Sequence, residues 1–251
     1  MPDREKIYFV TDAHLGAGSD SLQRETTLCS LLETFKADAA QVVFLGDMFD
    51  FWFTYRFVVP KGHVRLLGKM AELADAGIQL HFFIGNHDMW LFDYLPSLMP
   101  ITMHTDLEVL TFDGRRFLLG HGDGLGHLDR RYDFIRLIFR SRVNQFLFSL
   151  LPPALTFGVA HAWSRHSRRS HIKKNPTIFD YQGDDREGIV IYCRQRLQTE
   201  HFDYCVFGHR HSPIVRDLGQ GCTYVNVGDW LGHRSYAVYH QGSLQLCHFP
   251  A

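Results

Sequence analysis

Five short polar clusters stand apart on the chain: Asp12-Ala13-His14, Gly46-Asp47, Gly85-Asn86-His87-Asp88, Gly120-His121-Gly122-Asp123 and Gly208-His209-Arg210-His211. Their side chains offer carboxylates, an amide carbonyl and imidazoles, and no thiolate. Oxygen and nitrogen donors mixed in this way suit Mn, Fe or Zn in a reactive site better than a sulfur-bound structural zinc. The donors are too many for one ion. Two ions about 3.5–4 Å apart can clamp a phosphoryl group and generate hydroxide at neutral pH. Taken singly, each cluster is commonplace. D-x-H and H-x-H recur by chance, an Asp after a strand is often a helix N-cap, and the chain has 16 histidines, most of them outside the clusters. What chance does not readily produce is all five together, in this order and in one kind of place.

That place is the end of an apolar run: Ile7 to Val10, Val42 to Leu45, Phe82 to Ile84, Phe117 to Leu119 and Cys205 to Phe207. Runs of this length, rich in Val, Ile and Phe, read as buried strands. Strands that all end in metal ligands imply one shared edge. Asp12 and His14 are two apart, which on an extended segment aims both the same way; His209 and His211 repeat the spacing. Strands at Lys6 to Thr11, Gln41 to Leu45 and Ile78 to Ile84 alternate with helices at Leu22 to Phe35 and His63 to Ala76, the second closed by Gly77. That alternation argues for βαβ units and a largely parallel sheet. Glu108 to Phe112 and Arg115 to Leu119 flank Asp113-Gly114 as a hairpin. From Tyr204 the pattern is all strand: 204–208, 214–217, 223–227, 235–239 and 244–249.

Between these halves, Gly124 to about Tyr181 is helical by pattern and broken by Pro152-Pro153. We read the chain as a single domain over 1–251 with this segment as a helical lid inserted over the strand edge. The net charge of −1 conceals an asymmetry: 130–174 carries ten basic residues against Asp133, and so is +9. Such a segment suits an anionic partner. Phe146 to Trp163 is nearly uncharged over 18 residues, close to the lower limit of a membrane span. The Pro pair, Ser149, Thr156 and His161 favour a hairpin lying on a surface instead. A nucleic-acid groove would interleave charge with aromatics, so nucleic acid is not the expected partner. Hydrophobic residues at 45% and charged residues at 21% are ordinary for a soluble globular protein. Cys29, Cys193, Cys205, Cys222 and Cys247 form no C-x-x-C pair and are odd in number, which reads as reduced thiols in a cytosolic protein. The polar start, Met1 to Lys6, is expected to be neither a signal peptide nor an anchor.

The ordered set D-x-H, G-D, G-N-H-D, G-H and G-H-x-H resembles the calcineurin-like metallophosphoesterases. The resemblance implies an α/β fold, a four-layer αββα sandwich of two mixed sheets. It implies that Asp12, His14, Asp47 and His211 hold one metal, that Asp47 bridges, and that Asn86, His121 and His209 hold the second, with hydroxide attacking phosphorus in line. Two divalent ions follow as cofactors, with Mn2+ expected and Fe or Zn acceptable.

A narrower resemblance lies in the insertion. His121-Gly122-Asp123, Asp129, Tyr132, Arg136, Leu147 to Leu151 with Pro152, and Ser167-Arg168 are similar to the lid of the UDP-2,3-diacylglucosamine hydrolases, and Gly228-Asp229-Trp230 is similar too. Those enzymes cleave a lipid-linked nucleotide at its pyrophosphate in lipid A biosynthesis. The resemblance implies peripheral association with the cytoplasmic face of an inner membrane. It places Asn86, His87, Asp129, Tyr132, Arg136, Ser167, Arg168, Lys173 and Lys174 on substrate and Asn86, His87 and Asp88 in catalysis. Asp88 is expected to orient His87, or else to cap a helix; Asp123 is open to the same two readings. The chain departs from many of these enzymes by carrying His87 where they carry Arg. The competing readings are a phosphoesterase of the same fold acting on another phosphomonoester or phosphodiester (a soluble nucleotide or a phosphoprotein), and a non-catalytic scaffold, which would have shed ligands that are all present here.

Overall fold

The computed structural model describes residues 4–126, 137–160, 162, 164 and 181–250. Two mixed sheets face each other. The first has the order β11-β10-β1-β2-β3-β4, where β1 is Lys6–Val10, β2 Ala39–Phe44, β3 Gln79–Phe83, β4 Thr102–His104, β10 Ser235–His240 and β11 Ser243–His248. The second has the order β5-β6-β7-β9-β8, with β5 Glu108–Phe112, β6 Arg115–Gly120, β7 Tyr204–Phe207, β8 Ile214–Gly219 and β9 Cys222–Asn226. Strand alternation sorts the core into layers. Ile7, Phe9, Val43 and Leu45 point inward against Phe117, Leu119, Val206 and Val225. Their neighbours Tyr8, Val10, Val42 and Phe44 point outward onto α1 (Ser21–Phe35) and α2 (Val64–Asp75). On the far side, Leu118, Cys205 and Phe207 meet Ile189, Val190, Cys193 and Leu197 of the helix Gly188–Leu197. The result is the expected αββα order.

The β5–β6 hairpin turns on Asp113 and Gly114, with φ of 49° and 75°. Both central residues at positive φ match the twist of the flanking strands. Three elements are not foreseen by the sequence patterns: the helix Gly188–Leu197, the short helix α3 (Tyr94–Leu98) and β4. Ile189-Val190-Ile191-Tyr192 is a continuous apolar, β-branched run that periodicity cannot separate from a strand. Inside the insertion, the helix Arg142–Ser149 and the helical stretch 153–160 are joined at Pro152. Among the described residues no helix is long and apolar enough to cross a membrane.

Candidate metal centre

β1, β2 and β3 run parallel in one sheet, and β6, β7 and β9 run parallel in the other. Their carboxyl ends therefore share one rim, where ligand sites gather in α/β sheets. The loops beyond the strands are stitched together. Asp12 N–H donates to Gly46 O at 3.1 Å, His14 N–H to Asp47 O at 2.9 Å and Gly208 N–H to His121 O at 3.1 Å. Trp230 N–H reaches across to Asp12 O at 3.1 Å. A Cβ at Gly46 (φ 88°) would meet the Gly85 backbone at 2.7 Å and His121 Nδ1 at 2.9 Å, so only glycine lets these loops close.

One expectation about local geometry is corrected. Asp12, His14, Asp47, His209 and His211 are not extended; their φ values are 51°, 43°, 52°, 67° and 55°. Left-handed backbone is costly for side-chain-bearing residues and gathers at functional sites. The pairs converge because each loop coils sharply off its strand, not because alternate residues share a strand face.

The side chains meet closely. Asp12 Oδ1 lies 3.5 Å from His14 Nε2 and 3.4 Å from His211 Nε2. Asp47 Oδ2 lies 3.7 Å from His14 Nε2 on one side and 3.2 Å from His121 Nε2 on the other. Asn86 Oδ1 is 3.3 Å from His121 Nε2, and the His209 ring sits 5.1 Å from that of His121. Asp47 thus stands between two donor groups, as a bridging carboxylate must. Asp12 Oδ1 and both ring nitrogens of His14 are buried with no hydrogen-bond partner. Buried polar atoms left unpaired cost free energy. A divalent cation among Asp12, His14 and His211 would satisfy Asp12 Oδ1 and His14 Nε2 together, and the oxygen–nitrogen donor set fits Mn, Fe or Zn. These residues fit a dinuclear metal centre.

Residues outside the clusters hold the donors in place. The buried Arg24 of α1 donates to the carbonyls of Ala13 at 2.8 Å, His14 at 3.1 Å and Ala17 at 2.6 Å, fixing the first loop. Asp12 Oδ2 accepts from Thr11 Oγ1 at 2.7 Å and from His209 N–H at 2.8 Å. His121 Nδ1 donates to Leu45 O at 2.8 Å, which turns Nε2 to the site. Asp229 Oδ2 accepts from His211 Nδ1 at 3.1 Å. Carboxylates behind ligating imidazoles fix ring orientation, and losing one costs about 10–100-fold in metal affinity. Asp229→Ala is accordingly expected to weaken binding of one ion by about that factor while sparing the other, read as biphasic Mn2+ titration. Asp50, which the sequence patterns do not single out, is buried beside the site. Its Oδ1 is 3.7 Å from His14 Nδ1 and accepts from Ser164 Oγ, in the insertion, at 2.9 Å. Its spacing from Gly46-Asp47 is the one signal that points to it.

The expected role of Asp88 is also corrected. Its oxygens accept from Gly85 N–H and Met48 N–H, each at 2.8 Å. Asp88 therefore staples the second and third loops rather than the His87 ring or a helix end. His87 Nδ1 instead donates to Asp50 O at 2.8 Å, and His87 N–H donates to Asp47 Oδ1 at 2.8 Å. The charge of Asp123 acts on His121 and His209, and among the described residues it joins no tight ligand group. Asp129, Tyr132, Arg136, Ser167, Arg168, Lys173 and Lys174 lie outside the described residues.

Electrostatics follow from burial and opposite charge. Burial pushes the His14 imidazole down, but Asp12, Asp50 and Asp47 together outweigh it and raise its pKa to about 9. His121 is likewise held well above its ordinary value, burial being overcome by Asp47. Burial works against ionised Asp47, yet the neighbouring imidazoles, His121 foremost, hold it low. His209 falls to about 4 through burial and the neighbouring His121. Burial also lowers His87. With no cation bound, protons on His14 and His121 would balance the carboxylates, and an incoming cation must displace them. Since His14 is protonated below about 9, metal affinity should rise with pH from 6 to 8, with at least one proton released per ion. Calorimetry of Mn2+ binding in buffers of different ionisation enthalpy measures this; affinity independent of pH would contradict it.

Known proteins share this arrangement of sequence. A profile described as calcineurin-like phosphoesterase matches residues 5–213. The chain is 37% identical to the UDP-2,3-diacylglucosamine hydrolase of Porphyromonas gingivalis, over 97% of this chain and 97% of that protein. It is 28% identical to the protein of that name from Aeromonas salmonicida, over 95% and 88% of the two chains. The corresponding protein of Shewanella baltica is 26% identical over 95% and 92%.

Proposed function

The chain belongs to the calcineurin-like phosphoesterases, a family of metal-dependent hydrolases, and from that premise we propose that it hydrolyses the pyrophosphate of UDP-2,3-diacylglucosamine to UMP and 2,3-diacylglucosamine 1-phosphate, within lipid A biosynthesis. The observation that carries this reading is end-to-end similarity, insertion included, to a hydrolase of that name at 37% identity. The exposed apolar face of the insertion supports it. The helix Arg142–Ser149 has no buried residue; Phe146 is 62% and Leu150 65% exposed. Its other side packs through Phe148 on Phe53 and Trp90 beside the site. A surface of this kind suits acyl chains and a membrane interface. The segment 124–181 is in this reading a lid on a single domain. Arg136, Arg168, Lys173, Lys174, Asp129, Tyr132 and Ser167 would be the residues through which it binds substrate.

Asp12, His14, Asp47 and His211 would hold one ion, and Asp47, Asn86, His121 and His209 the other. Two bound divalent ions, Mn2+ foremost, would acidify water and polarise the phosphoryl oxygens. The protein's own groups do the rest. Asp12 and Asp47 hold the donor groups at fixed separation. His87 donates through Nδ1 to the Asp50 carbonyl, which leaves Nε2 for substrate. Burial depresses its pKa while Asp47 and Asp50 oppose that shift; the charge of a bound phosphate would add to theirs and favour a proton on Nε2, which His87 would then offer to the leaving phosphate.

The test is UMP release from the lipid nucleotide in detergent micelles with Mn2+. Turnover abolished by EDTA is the expected result. No turnover of it, alongside fast cleavage of bis(p-nitrophenyl) phosphate, would sink the lipid assignment and favour a soluble nucleotide or phosphoprotein substrate.

A further inference from the structure

The loop between Asp50 and α2 ends in a tip that the metal centre does not use. Its base is anchored. Trp52 N–H donates to His87 O at 3.3 Å and Thr54 N–H to Trp90 O at 3.1 Å, while Trp52, Phe53 and Tyr55 are buried. Tyr55 N–H closes a turn on Val58 O at 2.9 Å. Beyond that anchored base the chain exposes apolar side chains: Phe57 is 84% exposed, Val58 47%, and Val64, at the start of α2, 74%. A singly exposed apolar residue needs no explanation, but several on one projecting loop do. Along this stretch of chain the charge has one sign, and a neighbouring carboxylate, that of Glu25, is itself buried and accepts the Leu66 N–H at 3.0 Å. Arg56, Lys61 and Arg65 are exposed, and no acidic residue occurs between positions 51 and 71. The Arg56 guanidinium lies 4.9 Å over the Phe57 ring, an aromatic–cation pair of the kind that sits well at headgroup depth.

The tip is also continuous with the insertion. Tyr55 hydrogen-bonds Thr156, and the rings of Phe51 and Tyr55 meet that of Phe157 edge-on and tilted, at 5.5 and 6.1 Å between centroids. The exposed Leu155 and Val159 therefore share an aromatic support with the loop that carries Phe57.

We propose that residues 56–65 form a second membrane-contact element, seating Phe57 and Val58 in the interfacial layer of an anionic phospholipid bilayer with Arg56, Lys61 and Arg65 on its headgroups. This rests on the reading of the site as one that meets a lipid-linked substrate at a bilayer. With the tip and the insertion both on the lipid, the rim of the metal centre would face the surface from which substrate comes. Apolar burial and attraction of basic residues to an anionic leaflet add.

The experiment is co-sedimentation of the full chain with phosphatidylcholine vesicles with and without phosphatidylglycerol. Phe57→Ser/Val58→Ser should lower partitioning onto anionic vesicles by about tenfold. Arg56→Gln/Lys61→Gln should lower it by roughly fivefold per charge on anionic vesicles and leave neutral ones unaffected. Cleavage of bis(p-nitrophenyl) phosphate by both variants should match the unaltered chain, which shows that they fold. Variants that partition like the unaltered chain would overturn the proposal, as would an unaltered chain that ignores anionic vesicles. Hydrolysis in detergent micelles needs no bilayer. Its failure beside tip-dependent vesicle binding would overturn the substrate and leave the membrane contact standing.

Discussion

Asp47→Ala should lower turnover by at least about three orders of magnitude, equivalent to ~4 kcal/mol of lost transition-state stabilisation, and should reduce bound metal from two ions to one at most. The reason is position. Among the described residues Asp47 Oδ2 is the one carboxylate oxygen within 3.7 Å of His14 Nε2 and 3.2 Å of His121 Nε2, so a single side chain serves both donor groups. Its Oδ1 also accepts the His87 N–H at 2.8 Å, tying the third loop to the second. Asp47→Asn keeps an acceptor for that N–H but surrenders the charge. If the bridging charge is what matters, Asn should be nearly as inactive as Ala; if loop geometry is what matters, Asn should recover much of the loss. Folding is not expected to fail in either variant, because His14 and His121 can shed the protons that Asp47 stabilised. Circular dichroism melting and metal analysis on the same sample separate the outcomes. An Asp47→Ala protein with full turnover would refute a dinuclear centre.

Asp47 and the donors that the structure gathers around it stand out in the amino-acid sequence itself, and the limit of that legibility has a physical cause. Strand runs alternate at a period of two, which is why Ile7 and Phe9 fall on one face and their neighbours on the other. The ligands stand out because Asp, Asn and His at the ends of such runs lack a packing explanation. The supports do not stand out. Arg24 acts through the carbonyls of the first ligand loop from a helix, and Asp50 acts on His14 and His87 from a different loop. Such partners meet only through the fold. Asp88 shows the reverse error: adjacency suggests that it serves His87, whereas its oxygens are taken by the Gly85 and Met48 amides. Dihedrals are equally hidden. Nothing about Asp12-Ala13-His14 announces φ of 51° and 43°; the coil of that loop is imposed by Arg24 on one side and Trp230 on the other.

The outer face of the insertion offers the second large effect. Leu147, Leu150, Leu151 and Leu155 are all substantially exposed, so converting the four to Ser should barely change folding stability. If the face holds acyl chains, each leucine contributes part of the roughly 1.5–3 kcal/mol that full burial of such a side chain gives. Even a discounted, non-additive sum implies a loss of about 100-fold in kcat/KM toward the lipid nucleotide. Cleavage of bis(p-nitrophenyl) phosphate should stay within about twofold, because these exposed side chains are not among the donor groups and the small ester offers nothing for them to bury. The loss should fall mainly on KM if the leucines bind ground state and transition state alike, and on kcat if acyl anchoring is used to orient the pyrophosphate over the metals. Equal losses on both substrates would mean instead that the face supports the fold of the site, and equal retention would mean that the acyl chains lie elsewhere. Tyr55, Phe53 and Trp90 beneath the insertion are the natural control, since they are buried. Truncating any of them should cost stability as well as both activities, which is the signature the exposed leucines are expected to lack.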